Sequence, residues 1–140
     1  MIWFDLATGD LSRRGVVGTV LPGAAPLTAI AEADIRRIAG AALAIRFEKF
    51  SDGRGFTVAR HVREALGFTG PLVAQGHVIP DQADYLRRCG FTHVEINRRA
   101  AGQWRLSLAL APPAMQRVLG SPRARFPVQN RSAAPPNGPD

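Results

Sequence analysis

Residues 43–91 read LAIRFEKFSDGRGFTVARHVREALGFTGPLVAQGHVIPDQADYLRRCGF, and this stretch decides the fold. It contains the same arrangement of elements twice: an apolar strand, a polar corner with glycine or proline, and an amphipathic helix that ends at a glycine. Strands that alternate with helices over short connections predict a parallel sheet with right-handed crossovers. Most of the polar residues that are candidates for a functional role lie in the two corners.

The first unit begins with the nearly continuous apolar run Ala41–Phe47, which is typical of a strand that is covered on both faces. A helix over Thr57–Leu66 follows, because its apolar residues recur at the spacing of one helix face. Gly67 closes this helix.

The second unit has a strand over Leu72–Gln75 and then a helix with Pro80 at its first position. Gly90 is expected to end that helix. A further strand over Thr92–Ile96 completes a β-α-β-α-β order.

Upstream of this stretch, a helix is predicted over Thr28–Ala39. The first twenty residues hold two apolar runs, Met1–Leu6 and Gly15–Leu21, with turn residues at 8–10 between them. These runs predict either a β-hairpin that covers a sheet edge or a lone strand with a loose return.

Downstream, residues 103–110 are ambiguous, because Trp104 and the leucines that follow it alternate with other residues while the segment is also rich in leucine and alanine. We predict a strand here from the alternation, and a short helix over Ala114–Leu119. The segment from Ser121 is rich in proline, serine and arginine and is predicted to be disordered. The fold class is therefore α/β: a small, mostly parallel sheet, partial barrel-like or open three-layer, with an N-terminal hairpin, one domain over 1–120 and a tail over 121–140.

Composition bounds the class of protein. A chain of 140 residues is long enough for one domain with a core. Cys89 is its single cysteine, which excludes an internal disulfide and suits a reducing cytoplasm. The opening MIWFDLATGD lacks the pattern of a signal peptide, and no apolar run approaches the roughly 20 residues of a membrane helix. We therefore expect a cytoplasmic protein.

The formal charge of +7 comes from 17 arginines and one lysine against 11 acidic residues. The arginines are scattered in pairs, and aromatic residues make up only 7% of the chain. Nucleic-acid-binding proteins concentrate charge on one face and add aromatic stacking platforms. The pattern therefore argues against nucleic-acid binding and favours solvated helix faces.

The first corner, SDGRG, combines residues that can bind an anion. Arg54 is a candidate clamp for a carboxylate or phosphate, Asp52 can orient it, and Gly53 and Gly55 can leave backbone N–H groups accessible. The structural alternative is a tight turn with a surface ion pair from Asp52 to Arg54 or Arg60. The glycine spacing matches neither a P-loop nor the dinucleotide-binding fingerprint.

The second corner, GHVIPDQ, contains His77, Asp81 and Gln82. His77 is the best general acid–base candidate, because the ordinary pKa of histidine is near neutrality. The other histidines, His61 and His93, fall on a helix face and a strand, where packing roles are expected. No histidine or cysteine spacing of a metal site is present, so we predict no metal and no cofactor. Cys89 is expected to be buried and inert.

Four segments of this stretch resemble a bacterial family that is described only as a domain of unknown function. They are Phe47 to Gly55, Ala59 to Glu64, Gly76 to Gln82 and Arg88 to Phe91. Members of that family are commonly encoded beside sulfite reductase and other sulfate-assimilation genes, and some carry the label of oxidoreductase. The chain departs from the family at His77, where an acidic residue is usual. The resemblance gives added weight to one set of residues: Asp52, Gly53, Arg54, Arg60, Arg63, Asp81 and Gln82.

What the resemblance implies is an accessory, non-catalytic protein of sulfur assimilation that binds a partner enzyme, such as sulfite reductase, or a small anion such as sulfite. The ligand-binding candidates are the residues of that set together with Gly55. The alternative is a small enzyme that acts on an anionic metabolite, with His77 and Asp52 or Asp81 as acid and base and Arg54 as anion clamp. A short parallel sheet leaves one side open, so a homo-oligomer or a partner that covers this side is also expected.

Overall fold

The computed structural model of the chain describes residues 1–38, 40–49 and 53–111. The described residues up to Ala109 belong to one compact unit. Their strands are β1 Ile2–Asp5, β2 Leu11–Ser12, β3 Val17–Pro22, β4 Ala42–Phe47, β5 Leu72–Gly76 and β6 His93–Ile96. Their α-helices are α1 Glu32–Arg36, α2 Arg54–Glu64, α3 Ala83–Arg88 and α4 Ala101–Ala109, with 3₁₀ turns over Leu27–Ala29, Pro80–Gln82 and Arg98–Ala100. The predicted helix over Ala114–Leu119 and the predicted tail lie outside the described residues.

The six strands form one sheet in the order β2-β1-β6-β5-β4-β3. Strands β3 to β6 are mutually parallel, whereas β1 is antiparallel to both β6 and β2. The predicted class, α/β with a mostly parallel sheet, is therefore confirmed. The repeats alone indicate three or four parallel strands. The sheet has four, β3 to β6, and β1 and β2 extend it past β6 to six strands in all.

The N-terminal hairpin is present, but its second strand is Leu11–Ser12 and not the apolar run 15–21. That run contains β3, which pairs in parallel with β4 at the opposite edge of the sheet. The physical reason is the helix that lies between the two strands. Because β3, α1 and β4 form a parallel crossover unit, β3 lies beside β4.

The strand predicted over 103–110 is wrong, because these residues belong to α4. The buried residues Ala101 and Trp104, followed by the partly buried Leu108, are spaced three and four apart, which is the period of a helix face. Leucine, alanine, glutamine and arginine are also strong helix formers. The alternation that favours a strand did not correspond to burial, since Leu106 and Leu110 are both exposed.

Two helix boundaries also differ from the prediction. Helix α2 begins at Arg54, three residues before the predicted start, so Arg54 and Gly55 lie in its first turn. Helix α1 covers only Glu32–Arg36, because the preceding residues form a separate 3₁₀ turn over Leu27–Ala29.

The helices described above all pack on one face of the sheet. Their buried residues join one core with alternate residues of the strands, such as Leu43, Ile45 and Phe47 of β4. The opposite face has a separate, smaller cluster of buried side chains: Trp3, Ala42, Ala44 and Val73. The described part of the chain thus has two layers, helices and sheet, and not three.

The sheet is strongly curled. Strands β2 and β3 are its two edges, yet only five peptide steps separate Ser12 from Val17. Five steps span at most about 18 Å, whereas five strand spacings across a flat sheet amount to about 24 Å. The connecting segment 13–16 passes over Trp3, because a Cβ on Gly15 would lie 2.9 Å from the indole ring. The face with Trp3 is therefore concave, and the architecture is that of a partial barrel with its helices outside.

Within the described ranges, no helix has both the length and the apolar character required to cross a membrane.

Candidate functional site

The two polar corners lie side by side at the carboxyl edge of the sheet. The register of β4 and β5 places Phe47 opposite Gly76, and the backbone N–H of His77 donates to the Phe47 carbonyl at 2.8 Å. In an open α/β sheet this edge is where ligands bind, because helix N-termini and loops converge there. The adjacency that the parallel topology predicts is therefore observed.

Two glycines of these corners are needed for close packing against the end of β4. A Cβ on Gly55 would overlap the ring of Phe47, and a Cβ on Gly76 would overlap the Phe47 carbonyl. Gly76 also has a φ of 87°, which disfavours other residues. From the sequence, Gly55 was expected to help leave backbone N–H groups of the loop accessible. The structure requires glycine at this position for a different reason, because a side chain would collide with the ring of Phe47.

A cavity of about 160 Å³ lies between the end of β4 and the first turn of α2. Its lining combines small residues and charged ones: Gly23, Ala24, Phe47, Glu48, Lys49, Arg54 and Gly55. Lys49 and Arg54 are cations, and Lys49 has no ion-pair partner among the described residues. Among the described lining residues Glu48 is the one anionic side chain, and its carboxylate lies 3.4 Å from Nε of Arg46. The N-terminus of an 11-residue helix adds partial positive charge to the same place.

The remaining residues of the first corner have distinct positions. Gly53 is the residue before α2, and a Cβ there would meet no atom of the described residues within 4 Å. Asp52, the predicted partner of Arg54, lies outside the described residues. Arg54 and Gly55 are the members of the predicted ligand-binding set that line the cavity.

The second corner does not contribute to this cavity. His77 and Asp81 are exposed, and Gln82 is half-buried. The amide oxygen of Gln82 accepts from the backbone N–H of Ile79 at 3.1 Å, which closes the 3₁₀ turn before α3. The structure gives Gln82 a capping contact and places His77 against solvent beside Phe47.

Arg63 lies at the other end of α2, nine residues from Arg54. Its guanidinium donates to the carbonyls of Gly90, Phe68 and Gly70 at 2.8–2.9 Å. These carbonyls precede β5 and β6, so Arg63 stands at the amino edge of the sheet, opposite the corners. Burial lowers the pKa of Arg63 to about 10, and the group stays protonated at neutral pH. Its contacts are those of a structural residue.

Arg60 lies on the same helix as Arg63 but makes a different kind of contact. Its Nε lies 3.7 Å from the carboxylate of Glu64, and both side chains are substantially exposed. The alternative partner that the sequence left open for Arg60, Asp52, lies outside the described ranges. Arg60 does not line the cavity at the end of β4.

Of two other conspicuous side chains, Cys89 is buried and His93 is partly buried. Cys89 is 1% exposed, as predicted, and burial raises the pKa of its thiol. His93 lies against Trp3 with 5.5 Å between ring centres, and its Nδ1 is 2.8 Å from the hydroxyl of Thr92. Burial lowers the pKa of His93, while the nearby Asp5 carboxylate opposes this effect. No group of three potential metal ligands is present in the part of the chain that the structure describes.

A larger cavity of about 370 Å³ lies between β3 and α1, and it contains none of the predicted site residues. Its floor is apolar, with Ile30, Ile35 and Ile38. Its two charged side chains, Asp34 and Arg37, lie 3.4 Å apart and partly neutralise each other. The cavity therefore offers an apolar groove rather than a charged site.

A polar row on the concave face was missed in the sequence. The register of the strands aligns Arg46 with Gln75, and Glu95 with Trp3. Gln75 is only 7% exposed, and its amide makes no hydrogen bond to the described residues. Glu95 accepts from Nε1 of Trp3 at 3.2 Å and from Nε of Arg14 at 2.8 Å. The sequence signal that points to this row is the glutamine at an inward position of the otherwise apolar strand LVAQ.

Of the three comparisons with known proteins, one identifies a family. A family model described as "Bacterial protein of unknown function (DUF934)" matches residues 19–124, which is most of the chain. Neither the search of curated proteins nor the search of solved structures found a match. The matched range runs from β3 through α4 and includes both corners and the cavity between β4 and α2. The chain belongs to the DUF934 family of bacterial proteins of unknown function.

Proposed function

We propose that the protein is a non-catalytic accessory protein of sulfur assimilation that binds a partner enzyme or a small anion at the carboxyl edge of its sheet. The observation that carries the proposal is the cavity at the end of β4, with Lys49 and Arg54 in its lining. The sulfur-assimilation setting rests on the resemblance of the corner segments to a family encoded beside sulfite reductase. The lone, buried Cys89 supports a cytoplasmic role.

The size and charge of the cavity support a small anion. Its volume of about 160 Å³ is below that of sites for drug-sized ligands and cofactors, which are about 300–1,000 Å³. Two cations and the N-terminus of α2 attract negative charge, and guanidinium groups bind oxyanions with paired hydrogen bonds. An anion of the size of sulfite, or a carboxylate side chain of a partner enzyme, matches both features.

Titration calorimetry with sulfite tests the anion. We expect Arg54→Ala and Lys49→Ala each to weaken binding by about tenfold or more, because each variant removes a cation from the lining. Arg36→Ala is the matched control, since Arg36 is an exposed helical arginine on α1 that pairs with Glu32. Equal affinities of wild type and Arg54→Ala would exclude the cavity as the anion site.

Co-purification from the native cell tests the partner. The wild-type chain and Arg36→Ala are expected to retain sulfite reductase or another enzyme of the same pathway, and Arg54→Ala to lose it. Absence of any such enzyme from the wild-type sample, together with absence of sulfite binding, would reject the accessory role. A second copy of the chain that covers the open side of the sheet would appear in the same sample as a change of oligomeric state.

The small-enzyme alternative has a narrower basis. His77 is close to the cavity through its hydrogen bond to Phe47, but its side chain does not line it. A catalytic role for His77 requires that substrate bridge the exposed corner and the cavity. A screen of anionic metabolites with wild type and His77→Ala tests this role, and identical product formation by both chains would exclude His77 as acid or base.

A further inference from the structure

We propose that the open edge of β3 binds an extended segment of a partner protein, which adds to the sheet as a further strand and places an aliphatic side chain in the larger cavity beside β3. Within the described sheet β3 is an end strand, and its one neighbour is β4. This surface is separate from the cavity between β4 and α2, and it does not depend on the function proposed above.

The first observation is the backbone of β3, which presents hydrogen-bonding groups to the open edge. The N–H of Gly23 donates to the carbonyl of Arg46 at 2.8 Å, so it points towards β4. Successive residues of a strand direct their N–H and C=O groups to opposite sides, so both groups of Val20 and the carbonyl of Pro22 point away from β4. Val20 is also 48% exposed. The backbone of another strand matches such groups.

The second observation is that β3 lacks the charges that usually protect an edge strand. Residues 15–31 contain no charged side chain, although 21% of the whole chain is charged. The other edge strand, β2, is protected by its length of two residues, whereas β3 has six residues and a proline only at its last position. Uncharged edges are the places where strands of other chains add. The edge is thus complementary to a segment that is itself uncharged over the paired residues.

The third observation is the position of the cavity of about 370 Å³ between β3 and α1. Its lining includes Gly18, Thr19 and Leu21 of β3 but none of the residues of β4, so the cavity lies towards the outer side of β3. Side chains alternate between the faces of a strand, so every second side chain of a strand next to β3 points into the layer of this cavity. The buried isoleucines of its floor favour an aliphatic side chain there.

The curl of the sheet favours a single segment over a second copy of the chain. β2 and β3 face each other across the gap of the partial barrel, and at most about 18 Å separate Ser12 from Val17. One added strand takes about 5 Å of this gap. A second copy that paired through its own β3 would bring further strands and helices to the same gap. The occupant is therefore an extended segment without a layer of its own, with a leucine or isoleucine that faces the helices.

Fluorescence anisotropy with the full chain tests the added strand. The probe is a labelled peptide of alternating threonine and leucine between two glutamates, whose charge is opposite in sign to the +7 of the chain. A strand pairs with β3 through one alternate set of its N–H groups. We therefore expect N-methylation of either the threonine or the leucine nitrogens to weaken binding by about tenfold or more, and N-methylation of the other set to weaken it much less. Equal affinities of the two methylated peptides would overturn strand pairing.

Two positions in the chain test the cavity and the edge. Ala29 lines the cavity and is exposed, so Ala29→Trp is expected to fill the cavity and weaken peptide binding by about tenfold or more. Ala33→Trp is the matched control, because Ala33 is exposed on α1 outside the lining. Val20→Pro removes the N–H at the open edge, where edge strands tolerate proline, and is expected to weaken binding by about tenfold. If Val20→Pro does not fold, the methylated peptides decide the same point.

Sedimentation velocity distinguishes a partner segment from a second copy. We expect the wild-type chain and Val20→Pro to have the same size. A wild-type dimer that Val20→Pro or Ala29→Trp dissociates would assign the edge to a second copy and overturn the proposal. Absence of saturable binding of the unmethylated peptide below about 1 mM would overturn it as well. Arg54→Ala is expected to bind the peptide as wild type does, so this result is independent of the sulfite binding proposed above.

Discussion

Arg63 connects one helix to the two loops that lead into β5 and β6. Its three hydrogen bonds reach the carbonyls of Phe68, Gly70 and Gly90, and its guanidinium lies 5.5 Å from the centre of the Phe68 ring. Gly90 has a φ of 110°, and a Cβ there would lie 2.7 Å from Cγ of Arg63. Two of the segments that resemble the family, those with Arg63 and with Gly90, therefore meet in space for a structural reason.

We expect Arg63→Met to lower the free energy of unfolding by about 3 kcal/mol, because methionine keeps the aliphatic stem but removes the donor from three part-buried carbonyls. Urea denaturation measures the change. Arg60→Met is the matched control on the same helix, and its loss of an exposed ion pair should change stability by less than about 1 kcal/mol. Equal effects of the two substitutions would contradict the structural role of Arg63.

His93 makes stability depend on pH. Burial lowers the pKa of His93 in the folded chain below the ordinary value near 6.5. As the pH falls through this value, the unfolded chain takes up the proton first, so the free energy of unfolding decreases on acidification. We expect a decrease between about pH 7.5 and about pH 5.5, before carboxylates titrate.

Denaturation profiles of wild type and His93→Gln check this dependence. The substitution should flatten the profile in that interval, because glutamine does not titrate. His61→Gln serves as the control for a histidine on a helix face. A profile of His93→Gln as steep as that of wild type would show that another group is responsible.

Among the elements, α2 and β4 pack unusually closely at the carboxyl edge of the sheet. Gly55, in the first turn of α2, lies where a Cβ would overlap the Phe47 ring, and Phe47 in turn packs on Phe56 with 5.2 Å between ring centres. This packing fixes the position of the helix N-terminus relative to the cavity. The geometry of the candidate site therefore depends on a residue that has no side chain.

Gly55→Ala is expected to lower stability by about 1–3 kcal/mol, because the added methyl group forces Phe47 to move within a packed core. Gly53→Ala is the matched control two residues earlier, where a Cβ meets no described atom within 4 Å, and its effect should be small. Urea denaturation of both variants provides the measurement. A Gly53→Ala chain that is less stable than Gly55→Ala would contradict the packing argument.

The elements also show what a sequence pattern can predict. The strands β4, β5 and β6 and the helices α2 and α3 were predictable, because their apolar runs, turn residues and closing glycines all agree. Helix α4 was not, because Trp104, Leu106, Leu108 and Leu110 alternate in sequence while only Trp104 among them is fully buried. The partner of an edge segment such as β3 depends on the rest of the sheet, so local pattern left it open.

The candidate site was predictable to a smaller extent. Parallel topology alone brings the two corners together, and that part of the prediction is observed. The roles of single residues depend on tertiary partners that spacing does not reveal. Arg63 meets carbonyls from two loops, and Gln75 is notable only because no described residue pairs with its amide.

In the unit Met1–Ala109, one layer of helices and a curled sheet enclose one main core of described residues. Cys89 belongs to this core, on the face of the sheet that the helices cover. Its thiol is both inaccessible and, because burial raises its pKa, less reactive. The thiol therefore reports on opening of the core.

We expect a thiol reagent to modify Cys89 at least about a thousandfold more slowly in the folded chain than in urea-unfolded chain, because reaction requires that the core open. The rate should rise in the destabilised variant Gly55→Ala by about tenfold for each ~1.4 kcal/mol of stability that the variant loses. Absorbance of the released chromophore measures both rates. Rapid modification of the folded wild-type chain would show that α3 opens without the rest of the core.

The position of β1 has a consequence for synthesis. β1 lies between β2 and β6, and Trp3 and Glu95, which face each other across β1 and β6, are 92 residues apart. On the ribosome β1 is made well before β6, so the side of β1 that pairs with β6 has to wait until β6 emerges. Contacts of such long range slow folding and leave a strand edge exposed in the meantime. The nascent chain is therefore most open to chaperones, or to pairing with another nascent chain, in the interval between these two strands.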